Sequence, residues 1–209
     1  MGNKKMAWEL RDEAKKYLKL NWPIVPVGKE KKPMVNWSDF QTRLPSEKEL
    51  NDWLKNEETQ GIAVVTGKLS NLSVLDIEDL NVFLDLQQQY DFPETPISRT
   101  FKGYHVYFQH PDVPEIGCVS QLLPKVELKS GKSLITLPPS HHPKGIIYEW
   151  LKGKSPFEIK LAPLPQWIID LIGKGVPKSS KLKQIINGVE AGQRDNSAVA
   201  VAGKIIYNF

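Results

Sequence analysis

Apolar residues recur at Met6, Leu10, Ala14, Tyr17 and Leu18 with charges between them, a spacing that predicts an amphipathic helix at the start of the chain. Residues 23–27 (Pro-Ile-Val-Pro-Val) read as a short strand whose prolines suit an edge or a strand start. Ser46-Glu47-Lys48-Glu49 is a capping box opening a helix through Trp53 and Leu54. Gly61–Thr66 is a second strand and the run from Leu72 through Glu78 a third, and the turn at 67–71 between them predicts a hairpin. A helix follows from Asp79 to about Tyr90, with Leu80, Phe83, Leu84 and Leu86 on its apolar side, until Pro93 and Pro96 break the chain. Two strand-like runs in 97–108 then flank Phe101-Lys102-Gly103. In the second, Tyr104, Val106 and Phe108 take one face and His105 and Tyr107 the other. Residues 125–132 and Ser133–Leu137 read as another hairpin, and 146–150 as the last strand.

The chain is organised around the third strand, where the apolar run Leu72-Ser73-Val74-Leu75 ends on Asp76-Ile77-Glu78-Asp79. Strand alternation projects Asp76 and Glu78 together. Two carboxylates this close need a divalent cation, a shared proton or full solvation. Glu127 and Lys129 likewise share a face, adding a third carboxylate with a cation beside it. Gly103, just before His105, marks a place where backbone comes close to something. The basic loop Gly28-Lys29-Glu30-Lys31-Lys32-Pro33 is suited to solvation or to closing over a phosphate. The side chains of His141 and His142 diverge in extended chain, which argues against a zinc site there.

Composition sets the outer bounds. The chain has 209 residues, 40% hydrophobic and 25% charged, enough for one sizeable core or two small ones. Its single cysteine, Cys118, excludes an intrachain disulfide and a multi-cysteine zinc site. No stretch approaches a membrane span and the N-terminus leads into an amphipathic helix, so a cytoplasmic protein without membrane contact is expected. A net charge of +4 permits a polyanionic partner without proving one. Residues 173–181 form a basic Gly/Pro/Ser linker, and 182–209 read as two helices joined by a turn. The ending at Asn208-Phe209, with no cap or polar tail, suggests a piece of a longer protein.

The order of these motifs resembles the primase-polymerase domain of the archaeo-eukaryotic primase superfamily, found in plasmid, phage and CRISPR-associated replication proteins. Carrying the resemblance are Asp76-x-Glu78, Gly103-Tyr104-His105, Glu127-Leu128-Lys129 before a glycine turn, and Pro138-Pro139-Ser140-x-His142-x-x-Gly145-x-x-Tyr148-x-Trp150. Lys31-Lys32-Pro33 with Trp37, and Thr66-Gly67-x-x-Ser70, also match. The resemblance spans roughly residues 6–172 and rests on the order of the motifs, each weak alone. It implies an α+β fold: an N-terminal α/β unit packed on an RNA-recognition-motif-like antiparallel sheet, with the site in the cleft between them. A catalytic domain over 1–172 would be followed by the 173–181 linker and the start of a small helical domain at 182–209. By position, Asp76, Glu78 and Glu127 would bind two Mg2+ or Mn2+ ions. His105, Lys129, Ser140, His142, Lys32 and Gly103 would surround the nucleotide, with His105 at the triphosphate. Glu190-x-Gly192-x-Arg194-x-Asn196 resembles the opening of the helical domain that helps hold template in many relatives, and Lys174, Lys178, Lys181 and Arg194 would contact that strand.

Two departures stand out. Glu127 occupies a position that is usually aspartate, and Lys129 one that is commonly arginine. The Cys/His zinc insertion of some members has no counterpart between His110 and Pro124, so no structural zinc is expected. The implied activity is primer synthesis or extension from nucleoside triphosphates on single-stranded DNA, alongside further helical, helicase or CRISPR-associated domains. The chemistry agrees, because nucleotidyl transfer needs divalent ions held by carboxylates. The competing assignments are a non-catalytic replication-initiation module that binds nucleic acid, and a metal-dependent nuclease.

Overall fold

The computed structural model describes residues 2–112 and 116–173. In chain order the elements are α1 (Gly2–Leu18), β1 (Ile24–Val27), α2 (Glu47–Leu54), β2 (Gly61–Thr66), β3 (Leu72–Ile77), α3 (Leu80–Gln89), β4 (Ile97–Arg99), β5 (Tyr104–Gln109), β6 (Val119–Leu123), β7 (Val126–Ser130), β8 (Ser133–Leu137), β9 (Glu149–Trp150) and α4 (Gln166–Gly173). The strands form two antiparallel sheets, ordered β1-β2-β8 and β6-β7-β3-β5-β4-β9, so the architecture is α+β as expected. The linker and helical segment expected beyond Gly173, with Lys174, Lys178, Lys181 and Arg194, lie outside the described residues. No helix among the described residues is long and apolar enough to cross a membrane.

Both glycine turns expected to close hairpins instead carry the chain from one sheet to the other. After a single bridge between Gly67 and Leu72, β2 pairs with β1 and β8 while β3 pairs with β5 and β7. In the same way β7 joins the large sheet and β8 the small one. The small sheet is therefore completed by a strand from far along the sequence. Turn residues set a local reversal but do not choose the partner strand, and partner choice here follows burial. All six residues of β2 are buried, which a central strand with both faces covered requires. The two crossovers lie against each other: at Gly67, where φ is +125°, a Cβ would come within 2.9 Å of the Gly131 Cα.

One core joins the two sheets. Leu10, Ala14 and Tyr17 of α1 and Leu50 and Leu54 of α2 pack on Ile24, Ile62, Val64, Ile135 and Leu137, and the same cluster continues onto Leu72, Val74 and Tyr107 of the large sheet. Each fully buried leucine or isoleucine side chain there contributes about 1.5–3 kcal/mol. Tyr17 and Trp22 stack with ring centroids 5.6 Å apart, and Trp22 stacks on Tyr107 at 6.0 Å, which fixes the large sheet to α1. The opposite face of the large sheet (Leu75, Ile77, Val106, Phe108, Val126, Leu128) is covered by Phe83 and Leu86 of α3 and Ile168 of α4. Leu80, expected on the apolar side of α3, is instead exposed, because the buried stripe begins one turn later at Phe83.

Candidate active site

β3 lies between β5 and β7 near the middle of the large sheet, so its residues from Ser73 to Ile77 have a partner on either side. Asp76 stands opposite His105 on β5 and opposite Glu127 on β7. Directly opposed residues in an antiparallel ladder share a face, with Cβ atoms about 4.5–5.5 Å apart. On this face Val74 and Tyr107 belong to the core under α1, and one step along the strands the cover ends and the side chains become ionisable. The site is the partly covered end of a face whose other end is core: Asp76 is 24% exposed there while His105 beside it is buried.

His105 is 5% exposed and is held at both ring nitrogens. Its Nε2 lies 3.5 Å from Asp76 Oδ1, and its Nδ1 lies 3.5 Å from the Tyr107 hydroxyl, itself 3.0 Å from Ser98 Oγ. Burial works against the Asp76 carboxylate, but His105, then Lys129 and Lys31, outweigh it and hold its pKa below the ordinary aspartate value. Lys129 pairs with Glu127; burial disfavours its ammonium, yet that pairing and Asp76 raise its pKa overall. Burial first, and the Asp76 carboxylate second, push the Tyr148 hydroxyl up to about 12. Asp76, His105, Glu127 and Lys129 are thus brought together.

Other expected site residues are placed differently. Glu78 lies one residue beyond β3, exposed, with its carboxylate 3.0 Å from Lys102 Nζ. Among the described residues, no three His, Cys, Asp or Glu side chains converge as a ready metal-binding group. Gly103 does not make room for a ligand, because a Cβ there would meet Ile77 O at 2.1 Å; the close neighbour is β3 itself. Ser140 does not line an open pocket. It is fully buried, and its hydroxyl accepts from Ile62 N at 2.8 Å and donates to Ile62 O at 3.0 Å. Lys32 pairs with Glu30 at 2.9 Å beside a cavity of about 710 Å³ that His141 also lines. The lysine of that loop within electrostatic reach of Asp76 and His142 is Lys31.

His142 stacks on Phe101, 4.7 Å between centroids and 11° between planes. Its Nδ1 accepts a hydrogen bond from Lys144 N at 3.1 Å. Burial, then Lys31, Lys144 and Lys102, lower its pKa, so the ring is neutral near neutral pH. Tyr107, Tyr148 and Phe101 were not singled out as site residues in the sequence. For two of them a signal existed: Tyr107 shares the His105 face by alternation, and Tyr148 belongs to the Gly-x-x-Tyr-x-Trp run.

None of the curated proteins compared with the chain matches it. Residues 14–167, however, match the family of bifunctional DNA primase/polymerase N-terminal domains (Prim-Pol), a span that takes in both sheets and every residue from Lys31 to Tyr148 discussed above. The chain therefore belongs to the Prim-Pol family of DNA primase/polymerase domains.

Proposed function

We propose that this chain is a DNA-dependent primase-polymerase that joins nucleoside triphosphates on a single-stranded DNA template, releasing pyrophosphate. The supporting observation is the ladder position of Asp76 between Glu127 and His105, where the face is still partly exposed. Asp76 and Glu127 offer carboxylate oxygens across the ladder, and Glu78, one residue beyond β3, would join them by leaving Lys102; such an all-oxygen set would suit Mg2+ or Mn2+ rather than zinc. When bound, such ions activate the attacking 3′-hydroxyl and offset charge on the reacting phosphate.

The chain's own residues supply the rest. Lys129, its ammonium kept charged by Glu127 and Asp76, donates to a phosphate oxygen. His105 lies between Asp76 at Nε2 and the Tyr107 hydroxyl at Nδ1, each at 3.5 Å, so a triphosphate oxygen reaching this end of the sheet would compete with Asp76 for Nε2. The Tyr107 hydroxyl, held by Ser98, orients the ring from its other nitrogen. Lys174, Lys178, Lys181 and Arg194 remain the proposed template contacts.

The test is incorporation of labelled nucleotide on a single-stranded template, with and without primer, in Mg2+ or Mn2+. Asp76→Ala and Glu127→Gln should lower the rate by at least ~100-fold, since several kcal/mol of charge stabilisation is at stake. Glu127→Asp should retain substantial activity. Primer shortening under the same conditions would instead assign phosphodiester hydrolysis, and template binding with neither outcome would assign a non-catalytic module.

A further inference from the structure

Phe101 sits in the β4–β5 loop, 38% exposed, and single exposed apolar residues need no explanation. This one is organised. Its ring lies almost parallel to that of His142 at 4.7 Å, and Lys144 Nζ is 4.8 Å from its centroid. Burial, then Lys31, Lys144 and Lys102, disfavour charge on the partner imidazole. Those three lysines come from three separate segments of chain. A row of rings also connects this ledge to the carboxylates: His105 to Tyr148 at 5.9 Å, Tyr148 to His142 at 6.1 Å, then His142 to Phe101.

A partly exposed aromatic pair with the Lys144 ammonium over its Phe101 ring, and Lys31 and Lys102 within electrostatic reach of its His142 ring, suits a ligand that combines a heteroaromatic ring with phosphates, the base taking the place of the Lys144 head on Phe101 and the phosphates pairing with the lysines. We infer that Phe101, backed by His142, is a stacking platform for the nucleobase of the incoming nucleoside triphosphate. The inference rests on the primase-polymerase proposal and adds the base subsite to it. The incoming nucleotide is favoured over a template base because the row of rings starts at Asp76 and His105, where the triphosphate would react, and because Lys102 beside Phe101 is tied to Glu78.

The test uses the full chain with Mg2+ and three probes titrated calorimetrically: ATP, inorganic tripolyphosphate and a single-stranded oligothymidylate. Phe101→Ala should weaken ATP binding by ~5- to 150-fold, the value of one stacked base, and leave tripolyphosphate unchanged because it carries no base. Phe101→Trp, which keeps a stacking face, should bind ATP like the parent. Thermal unfolding of both variants should stay close to the parent, since a partly exposed ring leaves no cavity. Unchanged ATP affinity in Phe101→Ala, or equal loss of ATP and tripolyphosphate, overturns the platform. Loss of oligothymidylate binding with ATP binding intact assigns the ledge to the nucleic-acid strand and likewise overturns it. Failure of the parent chain to bind any triphosphate refutes the polymerase proposal itself, whereas a parent that binds ATP and tripolyphosphate alongside a Phe101→Ala variant that binds ATP equally well refutes only the base subsite.

Discussion

Ser140→Ala separates a strut from a ligand contact. The β2–β8 ladder ends at the Ile62–Leu137 pair because Pro138 and Pro139 follow, and proline has no N–H to continue a ladder. The Ser140 hydroxyl takes over, accepting from Ile62 N and donating to Ile62 O, while Gly61 leaves it space: a Cβ there would lie 2.4 Å from Ser140 Oγ. Alanine at 140 would leave the buried Ile62 N–H without a partner, at about 1–3 kcal/mol. In a chain of 209 residues, roughly 2–4 °C per kcal/mol translates this into a Tm lower by ~2–12 °C. Circular dichroism melting alongside ATP titration measures both properties. The strut assignment expects lower Tm with unchanged affinity per folded molecule. Unchanged Tm with weakened ATP binding would refute it and return the hydroxyl to the nucleotide pocket.

Two further outcomes follow from the same geometry. Gly103→Ala must push β5 away from β3, because its Cβ would sit 2.1 Å from Ile77 O, so both Tm and nucleotide incorporation should fall even with all ionisable groups present; a variant with parental Tm would show that the strand ends yield freely. Asp76 has a folded pKa below its unfolded value. It therefore contributes stability that is present above about pH 4, the unfolded aspartate value, and lost as pH falls through the lower folded pKa. The Tm gap between parent and Asp76→Asn, followed from neutral pH to about pH 2, should close only below about pH 4, and a pH-independent gap would refute the ion-pair account.

Local features were the legible ones. The Ser46–Glu49 capping box forms with both reciprocal hydrogen bonds, Asp79 caps α3 through Asn81 N at 2.9 Å, and the alternation of β5 buries Val106 and Phe108 on one face with His105 and Tyr107 on the other. β6 gave no signal because its pairing with β7 shifts register between Val119 and Leu123, and Gln121 has φ of 58°; a bulged strand loses the alternation by which strands are recognised. The candidate site was legible as residue types but only partly as positions. Sequence spacing grouped Asp76 with Glu78, whereas cross-strand register groups Asp76 with Glu127 and His105, and register is set by burial over the whole sheet.

The hairpins that failed to form explain why the acids are partly covered. Had β2 paired with β3 and β7 with β8, the chain would have made one continuous sheet with the acids on an open surface. Instead each glycine turn passes its strand into a different sheet, and the two turns lie against each other at Gly67 and Gly131, so the sheets meet along these crossovers. From there the shared core of Leu72, Val74 and Tyr107 with Ile62, Val64 and Ile135 fills the space between them. At the far end of β3 the filling stops, leaving Asp76 partly desolvated and facing cations delivered by both parts: Lys129 from the large sheet and Lys31 from the loop after β1. A carboxylate set there is shielded enough to feel its neighbours strongly yet still opens to solvent, the combination that a site for a charged triphosphate requires.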